Sequence, residues 1–356
     1  MLSNLLNLIF SLFIFSSFNL NANETKHVIA IGAPTIDFLL DVDESFLDSI
    51  KGEKGGCEVV DWPTFKSIVH ENRSFLRRYA TGGSSANTIK GLASLGLEAS
   101  FFGRIGNDDL GEFFFNRLLE IGVTPELIRT EKPTQQVACL ITPDCQRTMR
   151  CFLGATLEFS DHDIIPEIFE GKHLVHIEGY ALRHEGLVKK AFSLAKEKGL
   201  KTSFDLGAHE LAREYKDSLM KEILPSVDVL FANQDEAFAL TGLDPKEACE
   251  ELQKMVDTVV ILIGKDGCFV GSKGTTSHFG TTPAEMVDST GAGDLFASGF
   301  IYGYLKGLSH QESAQIGNLL GGAVVEEVGA EISDERWERL LHKIRSLESL
   351  PALAGK

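Results

Sequence analysis

The stretch that decides the fold reads Asp288-Ser289-Thr290-Gly291-Ala292-Gly293-Asp294, and apolar residues at helical spacing follow it from Leu295 to Leu305. A turn of small residues therefore opens a helix that packs into a core. We expect the first amide groups of this helix, at Ala292, Gly293 and Asp294, to lack intrahelical partners. Together with the helix dipole, these amides predict a site for a phosphate or a developing oxyanion.

Asp294 places a carboxylate beside this predicted anion site. Helix stability gives no reason for the placement, because like charges repel, whereas a base that deprotonates an attacking hydroxyl does. The alternative interpretation is that Asp294 only caps the helix and the glycines only form a turn. The stretch is not a Walker A loop, since no Lys-Ser or Lys-Thr follows the glycines. It is also not a dinucleotide fingerprint, since Phe296 stands where a third glycine belongs.

Composition restricts the class of protein. The chain has 356 residues, of which 43% are hydrophobic, and this is enough for one large domain with an appendage or for two domains. Its net charge of −17, without a long basic run, argues against nucleic acid as a partner. Six cysteines without a Cys-x-x-Cys pair favour a reduced, cytoplasmic protein over a disulfide or zinc framework. We expect a monomer or a homodimer.

The amino terminus disagrees with a cytoplasmic location. Residues 5–20 are strongly apolar and resemble the hydrophobic stretch of a secretory signal, with Ala22 before a candidate cleavage site. No Lys or Arg precedes this run, and it is short for a membrane-spanning helix. A signal or membrane anchor, an over-extended start and a disordered leader all remain open, so membrane association is undecided and residues 1–25 are set aside.

Apolar runs and helical segments alternate along the rest of the chain. The run His27–Gly32 predicts a buried strand, and strands alternate with helices from Leu174 to Ile263. This alternation predicts a doubly wound, mostly parallel sheet with helices on both faces. Ligands bind to such sheets beyond the carboxyl ends of the strands, where the loops carry Asp205, Asn233 and Gly264.

A second glycine-rich entry to a helix is Thr81-Gly82-Gly83-Ser84-Ser85-Ala86-Asn87. Paired glycines bring backbone close to a ligand, and Asn87 can both donate and accept hydrogen bonds. The competing interpretation is an ordinary helix start that is capped by Ser84 or Ser85. Asp37, which follows the first strand, is equally consistent with a ligand contact and with a turn residue.

Two further segments carry polar or small residues at predicted helices. In Asn233-Gln234-Asp235-Glu236, the carboxylate of Glu236 could hold Mg²⁺ through water, but the stretch alone favours a helix cap with acidic residues at the positive end of the dipole. A helix of small residues is expected from Gly317 to Gly329, and it would allow another helix or a planar ring to approach closely.

These landmarks together resemble, in order and spacing, the PfkB (ribokinase-like) carbohydrate and nucleoside kinases from about residue 27 to 346. Residues 288–294 are similar to the second signature of the family, and residues 82–87 with Gly96 and residues 103–106 are similar to the first. Asn233-x-x-Glu236 resembles its magnesium and phosphate motif. The likeness extends to bacterial members grouped with adenosine kinase, on residues 32–37, 42–47, 146–149, 231–237 and 291–296. Sugar kinases share most of these positions.

The resemblance implies a Rossmann-like α/β domain with a small β-sheet lid from about residues 37–62 and 133–153, followed by a tail at 347–356. It implies transfer of the γ-phosphoryl group of ATP to a hydroxyl of a sugar or nucleoside, with Mg²⁺ as a cofactor. The alternative is a non-catalytic sugar- or nucleoside-binding protein on the same fold. Asp294 would be the base, and the amides of Gly291, Ala292 and Gly293 would stabilise the transferring charge.

The resemblance also implies roles for residues elsewhere in the chain. The substrate would be held by Asp37, Gly82, Gly83 and Asn87, with Arg147 reaching in from the lid on closure. The nucleotide would face Asn233, Gly264, Gly267 and Asn318. Glu236 would organise Mg²⁺ through water. Some family members bind K⁺ beside the anion site, and the corresponding positions here are Asp288, Thr290, Gly329 and Ser333.

Overall fold

The computed structural model describes residues 25–144 and 146–348. The predicted leader lies outside these residues apart from Thr25, and the predicted tail lies outside them apart from Leu347 and Glu348. In the described part of the chain, no helix combines the length and the apolar character needed to cross a membrane.

Strands occur in two sheets and are numbered along the chain. They are β1 (His27–Ile31), β2 (Thr35–Asp41), β3 (Cys57–Val59), β4 (Leu76–Gly82), β5 (Glu98–Gly106), β6 (Val123–Thr130), β7 (Gln135–Ile141), β8 (Arg147–Phe152), β9 (Leu174–Glu178), β10 (Lys201–Asp205), β11 (Val229–Asn233), β12 (Thr258–Leu262), β13 (Cys268–Ser272) and β14 (Thr275–Phe279).

The larger sheet has the order β14-β13-β12-β11-β10-β9-β1-β5-β6. Neighbours from β12 through to β6 pair in parallel, and β13 and β14 add an antiparallel edge. The predicted mostly parallel sheet is therefore confirmed. Its antiparallel edge was not predicted, because the short segments 268–272 and 275–279 lack a long apolar run.

Helices cover both faces of this sheet. Alternate residues of a strand point to opposite faces and therefore pack into two different buried clusters. In β1, Val28 and Ala30 join one buried cluster, whereas Ile29 and Ile31 join the other. The helices are Glu44–Asp48, Trp62–Val69, Ser84–Ser94, Asp109–Ile121, Leu187–Glu197, His209–Glu214, Lys216–Ser218, Gln234–Thr241, Pro245–Leu252, Ala292–Lys306, His310–Val324 and Asp334–Glu348.

The smaller sheet, called the lid below, has the order β3-β8-β7-β2-β4. The short apolar segments 137–141 and 148–153, on either side of the turn residues 142–144, predict a hairpin, and β7 and β8 do pair in antiparallel fashion. Strand β4 was not predicted, and it lies outside the expected lid segments 37–62 and 133–153. It pairs with β2 and leads into the helix Ser84–Ser94, so the lid is joined directly to the cavity wall described below.

Two helix boundaries differ from the sequence-based expectation. The small-residue helix spans His310–Val324 rather than Gly317–Gly329, because Ser309 caps it in a capping box with Glu312. The sequence pattern from Ala208 to Leu224 also predicts a helix, and the structure divides this segment into several short helical turns, the last of which, Leu224–Ser226, contains Pro225.

Small residues allow the helices Ala292–Lys306 and His310–Val324 to pack closely. A Cβ at Gly299 would lie 2.8 Å from the backbone nitrogen of Gly317, and a Cβ at Gly317 would lie 2.9 Å from the carbonyl oxygen of Phe296. Gly322, on the second helix, has only the Cβ of Ala284 nearby, at 4.0 Å. The expected close helix approach is thus located at Gly317.

We predict opposite effects of alanine at these two glycines. Gly317→Ala should lower the free energy of unfolding by about 1–2 kcal/mol, because the backbone opposite cannot move aside easily. Gly322→Ala should raise it by about 0.5–1 kcal/mol, because alanine costs less backbone entropy in a helix. Urea unfolding of both variants measures the difference. Equal stability of the two variants would contradict the packing role of Gly317.

Candidate active site

A cavity of about 830 Å³ lies where the carboxyl ends of the parallel strands meet the lid. This volume lies within the usual range for small-molecule sites. The cavity wall includes the predicted residues Asp37, Gly83, Asn87, Asn233, Glu236, Gly264, Gly267, Thr290, Ala292, Gly293, Asp294 and Asn318. A separate cavity of about 20 Å³ is lined by Arg147, Thr290 and Gly329 among others. Neither lining includes Gly82, Asp288, Gly291 or Ser333.

The turn at residues 288–294 opens the helix Ala292–Lys306 as the sequence predicts. Gly291 has φ 75° and is the N-cap, and a Cβ there would lie 2.6 Å from the Cβ of Ala330. Leu295 N–H is the first to bond within the helix, to Gly291 O at 2.8 Å. Ala292 N–H donates to Ser289 O, which lies before the helix, at 3.3 Å, so this amide is less available to an anion than the sequence suggests. The amides of Gly293 and Asp294 are left to face an anion.

Asp294 is held by residues from the second glycine-rich entry. Ser84 Oγ donates to one carboxylate oxygen at 2.7 Å, and Asn87 Nδ2 donates to the other at 2.9 Å. Asp294 remains partly exposed to the cavity, and desolvation by the surrounding protein raises its pKa above the usual aspartate value. A carboxylate that is positioned, accessible and more basic than usual is suited to accept a proton.

Ser84 was considered only as a helix cap, and the structure assigns it differently. The N-cap of the helix Ser84–Ser94 is Gly83, with φ 98° and no side-chain cap. Ser84 is therefore the first residue in the helix, and its hydroxyl binds Asp294 instead of a backbone amide. No local signal distinguishes these two uses of a serine, because the bond joins residues 210 positions apart.

The absence of side chains at Gly82 and Gly83 allows two other residues to lie directly against the backbone. A Cβ at Gly82 would lie 2.0 Å from Oδ2 of Asp37, and a Cβ at Gly83 would lie 2.6 Å from Ala33 O. Asp37 thus lies directly against the glycine pair, and desolvation raises its pKa to about 6. Lys90 and Arg147 act in the opposite direction on that pKa.

Three more buried carboxylates line the cavity: Glu178 and Asp205 end the strands β9 and β10, and Glu236 lies in the first turn of the helix that follows β11. They are called the strand-end carboxylates below. Burial raises the pKa of Glu178 and of Glu236 to about 7, and it raises that of Asp205 well above its usual value. Asp294 raises all three further. Glu178 was missed from the sequence, since it ends an apolar strand without any motif around it.

Asn233 and Glu236 form the cap that the sequence favours. The Asn233 side chain accepts from the amides of Asp235 and Glu236, and Glu236 accepts from Asn233 N–H at 2.8 Å. The described residues contain no cluster of three or more His, Cys, Asp or Glu side chains suited to hold a metal ion directly. The buried strand-end carboxylates nevertheless suit a hydrated Mg²⁺ ion, because Mg²⁺ usually keeps several of its waters when it binds to a protein.

Another part of the cavity wall is formed by glycines and by the helix His310–Val324. Gly267 has φ 96°, and a Cβ there would lie 2.1 Å from Phe279 O, so only glycine fits. Asn318 Nδ2 donates to Gly280 O at 3.2 Å and holds the segment after β14. Gly321 and Gly322 face the cavity and leave space for a planar ring.

Several buried polar atoms on the cavity wall have no hydrogen-bond partner among the described residues. They are the side-chain oxygens Oδ1 of Asn87, Oε1 of Gln135 and Oγ1 of Thr156. Buried polar atoms are normally paired, because leaving one unpaired costs about 1–3 kcal/mol. These acceptors therefore favour a ligand that brings hydroxyl or amino donors.

The candidate potassium positions do not form an open oxygen cage. Asp288 Oδ1 accepts from Thr290 N–H at 2.8 Å, and Oδ2 accepts from Gly329 N–H at 2.6 Å. The guanidinium of Arg147 also binds Oδ2. Ser333 is exposed, and its hydroxyl donates to Glu327 at 2.9 Å.

Comparisons with known proteins identify the family of this chain. Residues 64–337 match the description "pfkB family carbohydrate kinase". Adenosine kinase from Saccharomyces cerevisiae is 27% identical over 336 residues, which cover 88% of this chain and 98% of that protein. ATP-dependent 6-phosphofructokinase from Thermoanaerobacterium thermosaccharolyticum is 26% identical over 263 residues, which cover 70% and 80%.

A solved structure shares the whole architecture. The crystal structure of adenosine kinase from Sinorhizobium meliloti aligns with a TM-score of 0.79 and 28% identity, over 91% of this chain and 99% of that chain. The expected ribokinase-like fold is therefore confirmed. On the extent of the family match, this chain belongs to the pfkB family of carbohydrate kinases, which are phosphotransferases with a hydroxyl group as acceptor.

Proposed function

We propose that this protein transfers the γ-phosphoryl group of ATP to a hydroxyl of a small sugar or nucleoside. The observation that carries the proposal is the carboxylate of Asp294, which lies in the first turn of a glycine-opened helix and faces the cavity. Its raised pKa and its two donors, Ser84 and Asn87, suit a base that works on an alcohol.

In this mechanism Asp294 accepts the proton of the acceptor hydroxyl as the oxygen attacks the γ-phosphorus. The bond to the β-phosphate oxygen breaks, and ADP leaves. The amides of Gly291, Ala292 and Gly293 would contribute to binding the transferring oxygens. Gly293 supports this best, since Ala292 N–H already donates to Ser289 O. The amide of Asp294 itself and the helix dipole add positive potential at the same point.

The strand-end carboxylates support a role in holding Mg²⁺ through water. Their pKa values are raised by burial and by the nearby charge of Asp294, so the site favours a bound cation over uncompensated negative charges. When bound, Mg²⁺ would neutralise charge on the phosphates of ATP. Asn233, Gly264, Gly267 and Asn318 would position the nucleotide at the glycine-lined end.

The acceptor end of the cavity combines polar and apolar groups. Asp37, Asn87 and Gln135 offer hydrogen-bond acceptors, while Val137 and Met149 form part of an apolar wall. This mixture suits a ribosyl or hexosyl group with several hydroxyls. A non-catalytic binding protein, the alternative, would not need a base with a raised pKa. None of the comparisons favours this alternative.

The direct test is ATP consumption, measured with a coupled assay against adenosine, ribose, fructose and ketodeoxygluconate. We expect acceptor-dependent ADP formation with at least one compound of this chemical class. Tight binding of an acceptor without any ADP formation would favour the non-catalytic alternative.

Removing the base should mainly lower turnover. We predict that Asp294→Asn lowers kcat by about 10²-fold or more, with much smaller changes in the two KM values, because general-base loss acts on the chemical step. Asp257→Asn, at an exposed carboxylate before β12, is the matched control and should keep normal turnover. Near-normal turnover of Asp294→Asn would remove Asp294 from this role.

Asp37 should act on the acceptor and not on ATP. We predict that Asp37→Asn raises the KM of the acceptor about tenfold or more, since hydrogen bonds to a charged group contribute about 1.5–3 kcal/mol. The KM of ATP should change much less. Asp41→Asn, at the exposed end of the same strand, is the control. Equal changes in both KM values would argue against a substrate contact.

Stabilisation by Mg²⁺ should depend on pH through Glu236. Its pKa is raised from 4.5 to about 7, so the folded metal-free protein keeps a proton that the unfolded chain releases. This group therefore contributes less stability as pH rises from about 4.5 to 7. Mg²⁺ needs the ionised form, and we predict that Mg·ADP raises Tm more at pH 8 than at pH 6.

Glu236→Gln is the diagnostic variant for this prediction. Glutamine keeps the capping geometry, but its side chain has no proton to lose. The variant should therefore reduce the Mg²⁺-dependent gain in Tm and remove most of its pH dependence. An unchanged pH dependence in Glu236→Gln would assign the effect to other carboxylates.

A further inference from the structure

We propose that Arg147 is the permanent counter-ion of Asp288, and that this pair couples the lid to the catalytic turn without a monovalent cation. The inference rests on the proposed phosphotransfer, and it concerns how the site for that reaction is assembled. It gives Arg147 a positioning role in place of the substrate contact that the family resemblance implies.

Both carboxylate oxygens of Asp288 already accept hydrogen bonds from the protein. One oxygen accepts from Thr290 N–H at 2.8 Å, and the other accepts from Gly329 N–H at 2.6 Å and from Arg147. The Asp288 side chain is 3% exposed and that of Arg147 is 17% exposed. A buried carboxylate needs a compensating charge, and at this burial the pair is only weakly screened by salt.

The surroundings of the pair do not suit K⁺. The adjacent cavity has about 20 Å³, space for roughly one water, and two guanidinium groups, those of Arg78 and Arg147, line it. Arg78 donates a hydrogen bond to the backbone carbonyl of Val328, next to Gly329, so this carbonyl oxygen already has a cationic partner. Ser333 is committed to Glu327. A cation placed here would meet fixed positive charge and few available oxygens.

The pair links two parts of the molecule that move separately if the lid opens. Arg147 is the first residue of the lid strand β8, opposite Ile141 of β7. Asp288 orients Thr290, which lies just before the N-cap glycine of the catalytic helix. Opening the lid would leave Asp288 buried and unpaired, so the pair favours the closed lid together with an ordered turn.

Arg147 also acts electrostatically on the acceptor side. It lowers the pKa of Asp37, against the larger effect of desolvation. The guanidinium of Arg147 therefore interacts electrostatically with Asp37, the proposed acceptor-binding residue, and with Asp288, which orients the turn. Lid closure, acceptor binding and assembly of the anion site are thereby connected through a single side chain.

The test compares Arg147→Met and Arg147→Lys with the wild type in buffer free of alkali metal ions. Wild-type kcat should change less than about twofold when KCl is added, because the counter-ion is built in. Arg147→Met should lose about tenfold or more in kcat, and guanidinium chloride or KCl should restore part of it. Arg147→Lys should retain most of the activity. Arg77→Met removes another lid arginine that pairs with an aspartate, Asp41, and should show neither loss nor rescue.

A second readout does not require catalysis. Hydrogen exchange of residues 285–294 should rise in Arg147→Met and fall again when guanidinium is added. The double variant Arg147→Met with Asp288→Asn removes both charges, so guanidinium should have no effect on it. This double variant also keeps the test valid if Arg147→Met alone folds poorly.

The outcomes separate this inference from the proposed function. Failure of every acceptor in the wild type would contradict the proposed function, while exchange and guanidinium rescue would still report on the pair. Strong dependence of the wild type on K⁺ would overturn the inference. A higher KM of ATP in Arg147→Met, with unchanged kcat and unchanged exchange, would also overturn it and assign Arg147 to the phosphates.

Discussion

Two helices begin at the same point of the cavity wall, and one carboxylate is held between them. Asp294 belongs to the first turn of one helix, while Ser84 and Asn87 belong to the first turn of the other. Glycine at each helix start lets backbone approach closely. Direct packing of the two helices brings these distant starts together, since one helix follows the lid strand β4 and the other follows the segment after β14.

The buried carboxylates around the cavity fall into two groups, those paired with a Lys or Arg of the protein and those without such a pair. Where the lid meets the catalytic domain, the protein supplies its own cations: Arg147 binds Asp288, and Lys90 binds Glu331 at 3.0 Å. Lys90, with help from Arg117, outweighs desolvation and lowers the pKa of Glu331 to about 2. Among the described residues, no Lys or Arg forms an ion pair with the strand-end carboxylates, and their pKa values rise instead. These carboxylates therefore favour a cation that the protein itself does not supply.

Local patterns were sufficient wherever a residue's role depends on its own backbone. Gly291 takes a positive φ at a helix start, and a buried parallel strand such as β1 is apolar on both faces. These signals predicted the turn at residues 288–294, the parallel sheet and the hairpin of β7 and β8. They did not predict β4, since its residues Leu76–Gly82 include the consecutive polar residues Arg77 and Arg78 and the exposed Tyr79, which interrupt the apolar pattern. Its place is set by pairing with β2.

The sequence by itself determined the family, the fold class and the position of the glycine turn at residues 288–294, because these follow from short motifs with regular spacing. Only the tertiary structure decided what the polar side chains bind. Ser84 is a partner of Asp294 and no cap, Glu178 faces the cavity, and Arg147 pairs with Asp288. The physical reason is distance along the chain: these contacts join residues more than a hundred positions apart, and their energies depend on burial that no local pattern encodes.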